Sequence, residues 1–233
     1  MNTMKANFKK ESFIVHNRKS HYGDDAAAIS EIFQEEINIS VWQRKLNSAI
    51  KQASELIIKS NPNLQISGVI KPNEVNEILI SEIGSDEILK YFYKDVSMLV
   101  KMFNYLFGIK NIGFRLRVLD HAMCPRFHVD RVPCRLITTY RGIASEWLPH
   151  NKVDRGKLGA GNQGKPDEES GIYKNILDIK HLNEGDVGLF KGETWQGNEG
   201  AGLVHRSPKV KNEDQKRLLL TFCLLYTSDA ADE

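Results

Sequence analysis

The sequence predicts an α+β protein in which an N-terminal helical layer supports a β-barrel-like jelly roll. Three observations predict it. Apolar residues recur at helical spacing from Asp25 to about Phe107, and beyond Lys110 the pattern changes to short β-rich runs bounded by glycine. A histidine and a carboxylate two residues apart, His128 and Asp130, also find a second histidine, His205, about 75 residues on and between two further β-rich runs.

Composition bounds the reading before any motif does. Of the 233 residues, 41% are apolar and 27% charged, which suits a globular fold and argues against disorder or a coiled coil. Residues 223–233, CLLYTSDAADE, read codon for codon as the translation of a transposon-end adapter used in sequencing libraries. They are expected to be a scar outside the fold, with the authentic chain running to about Phe222. Without Asp229, Asp232 and Glu233 the formal charge rises from +2 to +5. The basic residues are spread rather than clustered, so nucleic acid is a poor reading. Neither a secretory signal nor a membrane span is expected, since the basic N-terminal stretch lacks an apolar core and Lys101 and Asn104 interrupt the apolar run 97–109. Cys124 and Cys134 make no disulfide framework, so the cytoplasm is the expected compartment.

Along the chain, residues 1–24 read as a flexible leader and 25–110 as the helical layer. Ala28, Ile29, Ile32 and Phe33 predict a first helix, and Trp42, Leu46, Ile50, Ala53 and Ile57 predict a second over Val41–Ile58. LQISGVI at 64–70 reads as a short strand, and Pro72 introduces a helix over Asn73–Ile83. Ser85 and Asp86 are positioned to cap a long helix, Glu87–Phe107, whose Leu89, Phe92, Val96, Leu99, Val100 and Phe103 share one face and which Gly108 ends. Residues 111–222 then read as the β domain. FRLRVLDHA alternates, and CRLITTYRG, GDVGLFKG and RLLLTF are strand-like. Residues 149–172, rich in Gly, Asn, Asp and Lys, are expected to be a mobile surface loop close to the site.

His128 and Asp130 point to one side of a strand, with Cα atoms about 6.6 Å apart, and so converge on one ion. With His205 they form two imidazoles and a carboxylate, a set that leaves other coordination positions open. Other histidines, His121, His150 and His181, have no partner pattern and read as structural or exposed. Cys124 and Cys134, with His121 and His128, suggest a thiolate zinc site, but ten extended residues span about 33 Å. Packing roles suit the two thiols better. Trp147 and Trp195 lie near the expected mouth and could stack on substrate, although core or rim packing is the commoner fate of such aromatics.

Through His128-x-Asp130, GDVGLF at 185–190, His205 and Arg217 twelve residues later, the chain resembles the Fe(II)/2-oxoglutarate-dependent dioxygenases. That resemblance implies a double-stranded β-helix, Fe(II) on His128, Asp130 and His205, and 2-oxoglutarate anchored by Arg217. Thr221 shares the face of Arg217 and could add a hydroxyl. Leu219 stands where that superfamily often has Ser or Thr, which leaves Arg141 and Arg206 as substitute anchors. CPRFHVDRVPCRLITTYRG, EWL, GDVGLFKGE, GLVHRSP and RLLLTF also resemble an uncharacterised bacterial family, domain of unknown function 1826, over most of residues 40–222. That family implies a metal context, in which a zinc-handling protein without redox chemistry is the rival, and a cupin-type isomerase or hydrolase a third reading. The implied substrate is an unidentified small molecule or protein.

Overall fold

The computed structural model describes residues 17–210 and 216–225. They form a mixed α/β fold built on one large, mostly antiparallel sheet, with helices against one face and a small sheet against the other. The elements are β1 (Lys19–Gly23), a 3₁₀ helix (Ala26–Phe33), β2 (Ile37–Trp42), α1 (Ser48–Ser60), β3 (Gln65–Ile70), α2 (Val75–Ile83), α3 (Leu89–Phe107), β4 (Ile112–Leu119), β5 (Cys134–Arg141), β6 (Glu146–Leu148), α4 (Asp167–Ser170), β7 (Lys180–His181), β8 (Val187–Lys191), β9 (Val204–Arg206) and β10 (Arg217–Cys223). The large sheet has the order β1-β2-β8-β5-β10-β4-β3 and the small one β7-β6-β9. A bridge between His128 and His205 adds the segment around His128 to the free side of β9.

Side-chain alternation sorts the strands of the large sheet into two cores. Phe114 and Leu116 of β4, Leu136 and Tyr140 of β5, and Leu218, Leu220 and Phe222 of β10 face the helices. They join Ile50, Ala53 and Ile57 of α1 and Phe92, Val96, Leu99 and Phe103 of α3 in one apolar cluster. Leu119, Ile137, Phe190 and Leu219 point the other way and meet Trp147 and Leu203 from the side of the small sheet. At about 1.5–3 kcal/mol for each large side chain withdrawn from water, the helix-facing core dominates stability. The other face is free to carry polar groups.

Several sequence expectations need correcting. The segment 25–110 is not helical throughout, because it supplies β2 and β3 to the large sheet. Ile37, Ile39 and Val41 alternate with Asn38, Ser40 and Trp42, and that two-residue period of β-branched residues prevails over the helical spacing read through Trp42 and Leu46. The helix therefore begins at Ser48, where the Asn47 side chain accepts the Ile50 N–H. Ala26–Phe33 is 3₁₀ rather than α-helical, and Ile29 and Ile32, three apart, both point inward. The long helix starts at Leu89, two residues late, although Asp86 still accepts the Ile88 N–H. Gly108 ends it with φ of +61°, a conformation that favours glycine.

Of the leader expected over residues 1–24, residues 1–16 lie outside the described residues. Residues 19–23 form β1, which pairs parallel to β2, and Arg18 is buried, donating to Asn198, Glu35 and Gly197. The boundary at Phe222 also shifts. β10 continues through buried Cys223, and the Leu224 N–H donates to the Cys134 carbonyl. Residues 226–233 lie outside the described residues. Ending the chain after Phe222 is accordingly expected to cost about 1–2 kcal/mol, from the Leu224 hydrogen bond, the pairing of Cys223 in the sheet and a little apolar burial. Urea unfolding of the shortened chain measures this, and an unchanged midpoint would return Cys223 and Leu224 to the scar. Among the described residues no helix is long and apolar enough to cross a membrane.

Candidate metal centre

His128 and His205 sit directly opposite each other on neighbouring strands. Each backbone N–H donates to the other's carbonyl at 3.0 Å, and the imidazole centroids are 4.5 Å apart. Asp130, two residues beyond His128, brings its carboxylate to 3.5 Å from His205 Nε2 and 4.0 Å from His128 Nε2. One ligand atom from each of the three residues lies within 4.8 Å of the others. The other ring nitrogens are committed: His128 Nδ1 is 2.9 Å from the Arg126 carbonyl and His205 Nδ1 is 3.0 Å from the Leu203 carbonyl. A carbonyl only accepts, so both Nδ1 atoms carry the proton and both Nε2 lone pairs point to the shared space.

The electrostatics suit a cation. Burial pushes His205 down to about 4, with Asp130 pulling partly back and His128 adding to the depression. Burial raises Asp130, but His205 and then Arg135 outweigh it, and the carboxyl ends below its ordinary range. A neutral imidazole beside an ionised carboxylate is the protonation state that metal coordination requires. Arg135 grips Asp130 through both oxygens. Each oxygen has a second lone pair, so Asp130 can still offer one to an ion while Arg135 fixes its plane.

Three further features hold the site, and none was read from the sequence. Asp167 Oδ2 accepts the Phe127 N–H at 2.9 Å and Arg206 Nη1 at 2.9 Å. One buried carboxylate thus ties together the residues adjoining His128 and His205. Arg206 also donates to Glu146 on β6 and lies 4.3 Å from the Phe127 ring centroid. Finally, a Cβ on Gly192 would fall 1.9 Å from the Val132 carbonyl oxygen, so only glycine lets the end of β8 pass beneath the turn carrying Asp130.

Residues 149–172 are largely exposed, as a surface loop would be, but several points tie them to the site. Besides Asp167, Arg155 donates to the Gly202 carbonyl, and Val153, Leu158 and Ile172 pack with Phe127, Leu148 and Val204.

Other candidates separate clearly. Cys134, the first residue of β5, points to the helix-facing core, while Cys124, in the bend that precedes His128, lines the triad's cavity, so the two thiols lie on opposite sides of the large sheet and form no thiolate pair. Trp147 lies in the core between the sheets, and Trp195 packs on Phe33 and Phe107; neither lines that cavity. His121 and His181 are exposed, and His150 is buried beside Arg155. Of the three arginines considered as anchors, Arg141 pairs with Glu55 and Glu184, and Arg206 with Glu146 and Asp167. Arg217 is fully buried, and all three of its guanidinium nitrogens lack a hydrogen-bond partner among the described residues. Burial presses its pKa down to about 10, only partly offset by Glu146. It shares a strand face with Leu219 and Thr221, both of which line the cavity beside the triad.

His150 is pushed down to about 4, by burial first and then by Arg155 and Arg18. Both depressed histidines refuse a proton that the unfolded chain accepts near pH 6.5. The unfolded state therefore binds more protons below that value, so stability is full above about pH 6.5 and is lost as pH falls toward 4. The metal-free protein should show a urea midpoint that drops across this window, less steeply in His150→Gln. A midpoint independent of pH there would contradict neutral, buried imidazoles.

Residues 23–222 match a family described as protein of unknown function (DUF1826). No curated protein matches the chain. Among solved structures, the rice dioxygenase for auxin oxidation is similar at TM-score 0.49 and 11% identity, over 91% of this chain and 84% of that one. Dioxygenase for auxin oxidation 1 from Arabidopsis thaliana, a 2-oxoglutarate complex, gives 0.48 and 10% over 89% and 92%. A Pseudomonas putida prolyl-4-hydroxylase gives 0.44 and 12% over 84% and 96%.

Proposed function

The chain belongs to the DUF1826 family, which carries no assigned activity, and from the geometry of its site we propose that it is an oxygenase using Fe(II) and 2-oxoglutarate on a double-stranded β-helix. From β4 onward the chain alternates between the two sheets: β4 in the large one, the His128 segment in the small, β5 large, β6 and β7 small, β8 large, β9 small, β10 large. That alternation is how a double-stranded β-helix is wound, and it supports the finer fold reading. His128, Asp130 and His205 would hold the iron, which when bound supplies the redox chemistry at its open positions.

The observation that carries the reading beyond simple metal binding is Arg217. A buried, unpaired guanidinium is costly, and its retention on the cavity's strand face is accounted for by an anionic guest. A dicarboxylate chelating the metal at one end would bring its other carboxylate toward Arg217, where two parallel hydrogen bonds can form. Thr221, on the same face, is available as a hydroxyl donor. Asp130 stays ionised, burial keeps the His205 imidazole neutral, and the apolar Ile137, Leu219 and Phe190 limit water around them. A zinc-binding protein without redox catalysis would use the same three ligands but leave Arg217 without a purpose.

The test is an anaerobic titration of the Fe(II)-loaded protein with 2-oxoglutarate, following the visible charge-transfer band. A saturating band is expected, and Arg217→Leu should weaken binding at least about tenfold, or about 1.4 kcal/mol, with metal affinity intact. No band at millimolar 2-oxoglutarate would sink the proposal and favour zinc. A band indifferent to Arg217→Leu would remove Arg217 as the anchor.

A further inference from the structure

The cavity over the triad is bordered by a second pair of arginines that the proposed metal and cosubstrate do not use. On β4 the residues facing the small sheet are Gly113, Arg115, Arg117 and Leu119, opposite in sense to the helix-facing Phe114, Leu116 and Val118. Arg115 lines the cavity together with His128, Asp130 and His205, and it is exposed. Arg117 is its next neighbour on that face.

A structural arginine in an antiparallel sheet usually finds its carboxylate on the adjoining strand, directly across. Here Arg115 is flanked by Ser67 on β3 and Thr221 on β10, and Arg117 by Gln65 and Leu219. All four neighbours are uncharged. Among the described residues neither arginine has a carboxylate within ion-pair distance. Arg117 donates only to the Ser67 hydroxyl and the Met123 thioether, and its Nε is buried without an acceptor. Two guanidiniums about 7 Å apart along a strand repel each other. Of the other arginines lining the cavity, Arg135 is neutralised by Asp130 and Arg206 by Glu146 and Asp167. Asp130 is the one carboxylate in the lining, and it is already engaged. The mouth therefore presents uncompensated positive charge on one side, next to the three ligands.

We propose that Arg115 and Arg117 form an anion-binding subsite that takes a carboxylate or phosphate group of the substrate and orients the substrate over the metal. The substrate role rests on the oxygenase reading; the anion site itself does not. The cavity is small, about 80 Å³, so the body of such a substrate lies outward, along the exposed Gln65, Ser67 and Val69 face of β3.

Metal-free protein titrated with inorganic phosphate, and separately with succinate, tests the subsite through the arginine Nε–H resonances. These are assigned with Arg115→Gln and Arg117→Gln. One of the anions is expected to shift both signals saturably at millimolar concentration. The apparent Kd should rise at least about tenfold in Arg115→Gln and be largely restored in Arg115→Lys. Succinate as the binder indicates a carboxylate substrate, and phosphate a phosphoester. No saturable shift with either anion, or an unchanged Kd in Arg115→Gln, overturns the proposal. Mn(II), its binding counted by electron paramagnetic resonance, separates the two readings. Bound at the triad, it should broaden the resonance of the anion held at Arg115. If Mn(II) binds through His128 and His205 but leaves the bound anion sharp, the subsite is misplaced and the proposal fails. If Mn(II) does not bind while the Arg115-dependent titration holds, the metal reading fails and the anion site stands.

Discussion

His205→Ala is expected to reduce divalent-metal affinity by more than about a hundredfold, beyond the 10–100-fold that loss of an outer-shell partner costs, while leaving a folded protein. His205 is the most enclosed of the three ligands and contributes its Nε2 from the centre of the site. Its replacement leaves a carboxylate and one imidazole, too few to hold an ion against water. The fold survives because the dominant core lies on the other face of the large sheet, where α1 and α3 pack. His128→Ala should behave alike with a smaller stability cost, since that side chain is only half-buried. Metal stoichiometry by elemental analysis after gel filtration, with circular dichroism for folding, reads both effects. Retained metal in either variant, with loss in Cys124→Ser, would move the centre to the thiol.

Asp167→Ala is expected to produce the largest loss of stability among the polar substitutions considered, about 3–5 kcal/mol. Removing the carboxylate strips the Phe127 N–H of its acceptor and leaves the buried Arg206 guanidinium with Glu146 and the looser contact to Glu168 at 3.7 Å. Asp167→Asn keeps an acceptor and loses only the charge, so its cost should be smaller. The exposed pair Lys209–Glu168 is a useful control, because surface pairs contribute about 0–1 kcal/mol. Metal affinity should fall with Asp167→Ala as well, since the strands bearing His128 and His205 lose their common tie. Chemical denaturation with and without Mn(II) measures both. A cost no larger than that of Lys209→Ala would show that the tie is idle.

That His128, Asp130 and His205 come together was legible because it is local chemistry: a two-residue spacing fixes which side chains share a face, and a glycine-bounded strand locates the distal histidine. The place of Arg217 on the strand face beside them was legible in the same way. What supports the triad was not, because Asp167, Arg135 and Gly192 act through contacts whose partners no sequence spacing announces. Asp167 sits in a run of acids, DEE, with nothing to mark the buried one. The helical expectation over Val41–Ile58 failed where a two-residue and a 3.6-residue period overlap for a few positions, and only pairing with β8 decides between them. Cys223 was assigned to the scar from its codons, yet a small apolar side chain at a strand end packs whatever its origin. The uncharged neighbours of Arg115 and Arg117 became visible only with the register of β3, β4 and β10.

The central claim is that one metal centre and one buried arginine act on the same dicarboxylate. A crystal structure grown anaerobically with Mn(II) and 2-oxoglutarate tests it most directly. The account predicts an anomalous peak between His128 Nε2, His205 Nε2 and the Asp130 carboxylate, with the cosubstrate chelating it and the far carboxylate paired to Arg217. A peak at Cys124, or a cosubstrate carboxylate turned away from a still unpaired Arg217, would contradict it.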